Sequence, residues 1–399
     1  MGCRRAVRAC DSAEEFAAGK NGILLATFEE GNAGLVQSAP AYPIYSSEDM
    51  GKTWKRIAEI RETEIGLNSE WNPNLYELPQ DVGGLKKGTI LCAGISIDPA
   101  HVKKTAISLY KSEDAGNTWE KIATVATGGG LKNGIYEPFL MLDEKEQLIC
   151  YYSDETQAEK HSQKIVCKRS EDGLHWGNAV DVVASDNPEH RPGMPVLTKM
   201  GNGSYFMTYE VVGIDGNPIH YKTSDDGLNW GDVNSIGTKL KTNGGKALGS
   251  ASYCGWTPAG SDKGTLIVSA TFMGRGKSQT GTDYFISHDY GNSWVAVPHP
   301  LPYTDGKGYA YSNSFSFSAD GKTLFAINNV DDKADKAKIS FALVELGQSV
   351  SSATACASST AQGIAIGALA SLFWLNGILR VFAIAVGGFI FWLCRTAIL

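Results

Sequence analysis

Short apolar runs broken by Gly, Asn, Asp and Pro recur along most of the chain. "GTILCAGISI" (88–97), "QLICYYSD" (147–154), "GSYFMTYEVV" (203–212) and "GTLIVSATFM" (264–273) show the pattern. Val, Ile, Thr, Tyr and Phe dominate these runs, and such residues suit a pleated, half-buried surface. No helical-period stretch of useful length precedes residue 350. The pattern therefore predicts an all-β chain.

The turns between the runs repeat. "SSEDMGKTW", "KSEDAGNTW", "RSEDGLHW", "TSDDGLNW" and "SHDYGNSW" each place Ser two residues before Asp and Trp three residues after Gly. Their tryptophans are Trp54, Trp119, Trp176, Trp230 and Trp294, spaced by 65, 57, 54 and 64 residues. Gly takes the φ > 0 position of a tight turn, Asp accepts backbone hydrogen bonds, and Trp covers the turn with an apolar face. Recurrence at this period marks a repeated supersecondary unit. Five marked units, with room for one unmarked, predict a six-bladed β-propeller whose turns lie on the blade rim. A pair of β-sandwiches is the alternative, and it leaves the repeat unexplained.

The expected boundaries are an irregular segment 1–20, a propeller 21–348, a small-residue linker 349–362 and an apolar tail 363–399. The tail is long enough to span a bilayer, although Asn376 and Arg380 divide it. It reads as a helix or helical hairpin at a membrane or as a cleaved anchor signal, with a gene-model artefact as the alternative. The first 20 residues lack the apolar core of a secretory signal. An extracellular or membrane-anchored location is the expectation.

The net charge of −7 gives no basic stripe for phosphates, which argues against a nucleic-acid partner. The eight cysteines form no C-x-x-C pair, so the ligand spacing of a zinc site is missing. Cys92, Cys150 and Cys254 sit in or beside apolar runs and read as buried thiols, with one disulfide left open.

Two acidic residues stand out. Glu137 in "IYEPFLML" and Glu210 in "YFMTYEVVG" lie among aromatics at strand ends, where a charge needs a partner. Hydrolysis of a glycoside needs two carboxyl groups facing each other across one sugar, one as acid and one as nucleophile or base. A propeller channel can bring together residues from different blades, although these are 73 positions apart. Tyr136, Tyr152 and Tyr209 beside them are candidate sugar-binding aromatics, and Arg191 in "RPGMP" is a candidate ligand for a hydroxyl or a structural arginine.

The five Ser-Asp-Gly-Trp turns resemble the Asp-boxes of the sialidase-like superfamily, which also includes proteins that are not enzymes. "LYELPQDVGG", "YEPFLMLDEKEQLICYYSDE", "RPGMPVLTKMGNGSYFMTYE" and "YAYSNSFSFSADGKTLF" together resemble fungal exo-arabinanases of glycoside hydrolase family 93 over roughly residues 21 to 345. The resemblance implies a six-bladed propeller that releases arabinobiose from α-1,5-linked arabinan with retention, without metal or organic cofactor; a monomer acting on an arabinan-like saccharide is the expectation. It implies Glu137 as acid/base, Glu210 as nucleophile and Tyr311, or else Tyr309, as a further site tyrosine. Neither the arginine triad of sialidases nor their N-terminal "R-I-P"-like motif is present, which disfavours a sialidase. The same departure, Ala or Glu where related propellers carry an arginine, suggests a truncated first blade. A non-catalytic carbohydrate-binding propeller is the other alternative.

Overall fold

The computed structural model describes residues 10–11, 22–29, 40–64, 66–101, 103–270, 281–302, 313–331, 337–346, 354–355, 370–375 and 378–383. Six antiparallel sheets follow one another in chain order. Blade 1 is β1 (Cys10–Asp11), β2 (Leu24–Thr27), β3 (Tyr42–Ser47) and β4 (Lys55–Ile60). Blade 2 is β5 (Asn68–Glu77), β6 (Ile90–Ile97), β7 (Thr105–Ser112) and β8 (Glu120–Gly128). Blade 3 is β9 (Ile135–Leu142), β10 (Leu148–Asp154), β11 (Lys164–Ser170) and β12 (Val180–Val183), with a single-turn helix α1 (Ala158–His161) after β10. Blade 4 is β13 (Arg191–Lys199), β14 (Tyr205–Val212), β15 (Ile219–Ser224) and β16 (Thr238–Lys239). Blade 5 is β17 (Tyr253–Thr257), β18 (Thr265–Ser269), β19 (Asp283–Ser287) and β20 (Val295–Pro298). Blade 6 shows three strands among the described residues, β21 (Asn313–Phe317), β22 (Thr323–Asp331) and β23 (Ala337–Glu345). The first strands β1, β5, β9, β13, β17 and β21 touch in sequence, and β21 meets β1 to close the ring. The fold is a six-bladed β-propeller.

One expectation needs correction. Blade 1 has four strands rather than a truncated set, because Cys10–Asp11, from the segment expected to be irregular, pairs with Leu24–Leu25. In the tail, β24 (Thr354–Ala355), β25 (Ala370–Leu375) and β26 (Ile378–Ala383) form a separate antiparallel sheet, and most of the segment expected as a membrane helix or anchor signal lies outside the described residues. Among the described residues no helix is long and apolar enough to cross a membrane. Residues 384–399 lie outside the described residues.

The repeated turns join the third and fourth strands of blades 1 to 5. In every copy the Ser Oγ accepts the Gly N–H, at 2.8 Å in Ser47–Gly51 and 3.0 Å in Ser224–Gly227, and donates to the Asp carboxylate. The indole N–H of Trp54, Trp119, Trp176 and Trp294 then donates to the Gly carbonyl. The fourth copy differs. Trp230 donates at 3.2 Å to the hydroxyl of Tyr151, which itself donates to the Gly227 carbonyl.

Each turn also packs on the preceding blade. Trp54 meets Phe341 of blade 6 at 5.5 Å between ring centroids, Trp230 meets Tyr151 of blade 3 at 6.1 Å, and Trp294 meets Phe206 of blade 4 at 5.8 Å. Gly51, at φ 81°, is held so close to Phe341 that a Cβ there would stand 2.1 Å from its ring. Leu25 of blade 1 and Leu85 of blade 2 back Gly116 and Gly173 in the same way. The turn is thus a staple within its blade and a wedge against the preceding one.

Between blades 1 and 2 the linker is pinned by Glu62, whose side chain is 0% exposed. It accepts hydrogen bonds from Ser96 Oγ at 2.6 Å, Ser108 Oγ at 2.5 Å, Tyr110 at 3.1 Å, Lys121 Nζ at 2.8 Å and the N–H groups of Thr63 and Glu64. Burial alone would raise its pKa, but the donors, Lys121 foremost, outweigh burial and hold it at about 2.

Two outcomes follow for stability. Trp294, 4% exposed, should cost about 3–5 kcal/mol on replacement by Ala in chemical denaturation. The half-buried Trp119 should cost less, so equal losses would contradict the wedge role of the fifth turn. A carboxylate held at about 2 against an ordinary 4.5 contributes about 3 kcal/mol, present above pH 4.5 and lost as the pH falls toward 2. Glu62→Gln should therefore flatten the acid limb of the stability–pH curve, and an unchanged limb would assign that limb to other groups.

Candidate active site

In each blade the first strand begins, and the second ends, at the same end of the propeller. The Asp-box turns follow third strands and lie at the opposite end. The singular backbone features gather at the first end. Asn72 in β5, Glu137 in β9, Met194 in β13 and Ala251 just before β17 have φ of 52°, 63°, 58° and 45°. Ladder shifts accompany the first three: between Trp71 and Asn74, opposite Glu137 between Tyr151 and Ser153, and between Gly193 and Val196. A bulge turns one residue out of the ladder and re-aims its side chain and its N–H. A non-glycine residue at positive φ costs of order 1–3 kcal/mol and persists where its surroundings over-determine it.

Those surroundings are oxygen acceptors from the preceding blade. Asn72 N–H donates to Glu29 Oε1 at 2.8 Å. Glu137 N–H donates to Asn72 Oδ1 at 3.3 Å. Met194 N–H donates to Glu137 Oε2 at 2.7 Å, and Ala251 N–H to Glu210 Oε2 at 3.0 Å. Four successive junctions repeat one contact, in which an inverted N–H meets a carboxylate or amide oxygen.

Glu137 and Glu210 are brought together at this end, on neighbouring blades. Ser153 Oγ donates to Glu137 Oε2 at 2.7 Å. Glu210, 7% exposed, faces Gly193 across the β13–β14 ladder. Gly193 also lies against Glu137, and a Cβ there would stand 3.3 Å from Glu137 Oε2 and 2.1 Å from Gln163 Nε2. Arg191 opens the same bulge. Its guanidinium donates to Glu155 Oε1 and, at 3.0 Å, to Gln163 Oε1, while Gln163 Nε2 donates to the Pro192 carbonyl at 2.9 Å. Arg191 thus anchors the strand that carries Gly193 and Met194, and at 43% exposure it keeps part of its guanidinium at the surface. Burial, with Glu137 and Asp154 nearby, pushes the Glu155 carboxyl up against the pull of Arg191.

Tyr136 stands beside Glu137, half-buried, 6.4 Å from the ring of Trp71, which packs in turn on His101 at 5.0 Å. Burial and the nearby Glu155 and Glu137 raise its hydroxyl well above the ordinary value, so it stays a neutral donor, here to the Leu131 carbonyl at 3.1 Å. The other two tyrosines need correction. Tyr152 is 3% exposed in the core, and Tyr209 is fully buried with its hydroxyl on the Ile236 carbonyl at 2.7 Å. Both follow from the two-residue period of a strand. Ser153 and Glu210 face the site, so their neighbours Tyr152 and Tyr209 face the core. Tyr311 and Tyr309 lie outside the described residues. Glu29, Asn72, Ser153 and Trp71 were not singled out by sequence; "YYSD" alone carried a hint, as an acidic strand end. Cys92, Cys150, Cys167 and Cys254 are buried thiols.

No family profile and no curated protein matches the sequence. Solved structures do. An α-L-arabinanase of Penicillium chrysogenum, complexed with arabinobiose, is 32% identical with a TM-score of 0.72, over 86% of this chain and 93% of that one. The chain belongs to glycoside hydrolase family 93. The family's α-L-arabinofuranosidase of Fusarium graminearum, in complex with arabinobiose, is 30% identical with a TM-score of 0.69, over 87% of this chain and 98% of that one. A microbial sialidase, at 11% identity and a TM-score of 0.55, shares the fold alone.

For this family-93 chain the Arg191–Glu155 pair gives a direct test. Arg191→Ala leaves the 8%-exposed Glu155 without its cation and should cost about 1–3 kcal/mol in thermal denaturation, discounted because the guanidinium is partly solvated. Adding Glu155→Gln should recover most of that loss. No recovery would mean that Arg191 acts mainly by packing.

Proposed function

We propose that the protein is a retaining, exo-acting glycoside hydrolase that cleaves α-1,5-linked arabinan and releases arabinobiose. The observation that carries this reading is the placing of Glu137 and Glu210 at one end of neighbouring blades, each with an inverted N–H on its carboxylate. The family members bound to arabinobiose support the sugar class.

In this reading Glu137 is the acid/base. Its Oε2 accepts from Ser153 and Met194, which orients the carboxyl, and as the acid it brings a proton to the leaving group. That proton passes to the glycosidic oxygen as the bond from this oxygen to the anomeric carbon breaks. A Glu210 carboxylate oxygen forms the new bond to the anomeric carbon, giving a glycosyl ester. Glu137 then takes a proton from water, the water oxygen attacks the anomeric carbon, and Glu210 leaves as carboxylate. The Ala251 N–H on Glu210 Oε2 stabilises that carboxylate as it departs and fixes its orientation. Trp71 and Tyr136 supply an apolar wall on the Glu137 side.

Incubation with linear α-1,5-arabinan should give arabinobiose as the sole early product, with the configuration at the anomeric carbon retained by proton NMR. A ladder of oligosaccharides would refute exo action, inversion would refute the glycosyl ester, and no turnover of any arabinan would favour a binding protein. Glu210→Gln should lower kcat by at least about a thousandfold. Azide should rescue Glu137→Ala more than Glu210→Ala on an activated aryl arabinoside. The reverse pattern would exchange the two roles.

A further inference from the structure

The acid/base is itself held in an unfavourable backbone conformation, at φ 63°. Its N–H points to Asn72 Oδ1, and Asn72 is a second left-handed residue, at φ 52°. What fixes Asn72 is Glu29, 4% exposed, just beyond the end of β2 in blade 1. One oxygen, Glu29 Oε1, accepts both the Asn72 backbone N–H at 2.8 Å and the Asn72 amide at 3.3 Å. The amide nitrogen is thereby turned to Glu29, which leaves Oδ1 aimed at the Glu137 N–H. Exchanging the amide's oxygen and nitrogen would break both contacts at once.

From this geometry we propose that Glu29 is a positioning residue for the acid/base. Its carboxylate, one blade removed from Asn72 and two from Glu137, sets the Asn72 amide and through it the pose of the Glu137 backbone and carboxyl. Glu29 does not exchange protons with substrate. Its effect is confined to the step that needs the Glu137 proton. This rests on the assignment of Glu137 as acid.

The test compares wild type, Glu29→Ala and Glu29→Gln on an arabino-oligosaccharide and on an aryl arabinoside whose leaving group departs without protonation. Glu29→Ala should lower kcat on the oligosaccharide about 10- to 100-fold with KM little changed, and lower kcat on the activated substrate far less. Glu29→Gln keeps an acceptor oxygen for the Asn72 N–H and should recover most of the loss. Equal losses on both substrates, or none, would overturn the proposal. If Glu29→Ala does not fold, Asn72→Gly keeps the left-handed backbone, removes Oδ1, and should show the same selectivity. An inactive wild type would sink the functional reading instead. The crystal structure of Glu29→Ala then decides the positioning role: Asn72 and Glu137 displaced supports it, and both unmoved refutes it.

Discussion

Everything at the working end depends on a backbone N–H that has been turned out of its ladder. An inner strand of a propeller would ordinarily direct its N–H groups along the sheet. At Asn72, Glu137, Met194 and Ala251 the left-handed conformation points one donor across the gap to the preceding blade. Left without an acceptor, such a buried donor would cost on the order of 1–3 kcal/mol in addition to the backbone strain. A carboxylate or amide oxygen on the neighbouring blade removes that cost. The acidic residues are therefore structural necessities and chemical groups together, which limits where a carboxylate can sit without disturbing the blades.

Asp-boxes and acids divide the labour between the two ends. At the turn end, Trp on Gly and aromatic on aromatic fix how far each blade stands from the last. At the site end, polar contacts fix orientation within that spacing. Tyr151 shows that the staple tolerates variation, since its hydroxyl takes the place of a direct Trp230–Gly227 bond while the rings keep their contact.

The blade count was legible because each box needs the same residues at the same offsets, so the tryptophans mark third-to-fourth-strand turns wherever they occur. Glu137 and Glu210 were legible because an acid among aromatics at a strand end suits neither an apolar core nor open solvent. The parity of the neighbouring tyrosines was not. "TYE" and "YYS" give no sign of which residue faces the core until the ladder fixes the phase, and the bulge at Glu137 resets that phase within the strand. The left-handed positions were hidden for a related reason. Asn, Glu, Met and Ala share no composition signature, and their conformation is set by acceptors on other blades.

The contact of Trp54 with Phe341 has a meaning that the other wedges lack. Five of the six junctions are crossed by the chain itself, but the seam between blades 6 and 1 joins segments from opposite ends of the propeller sequence. Among the described residues no chain segment crosses that seam, and a ring opens first at such a joint. Transient opening would separate blade 1 from blade 6 while leaving Glu29, Asn72, Glu137 and Glu210 on one uninterrupted run of blades. Glu137 and Glu210 stand on blades 3 and 4, across the ring from that seam, so the molecule can breathe there without taking the two acids apart.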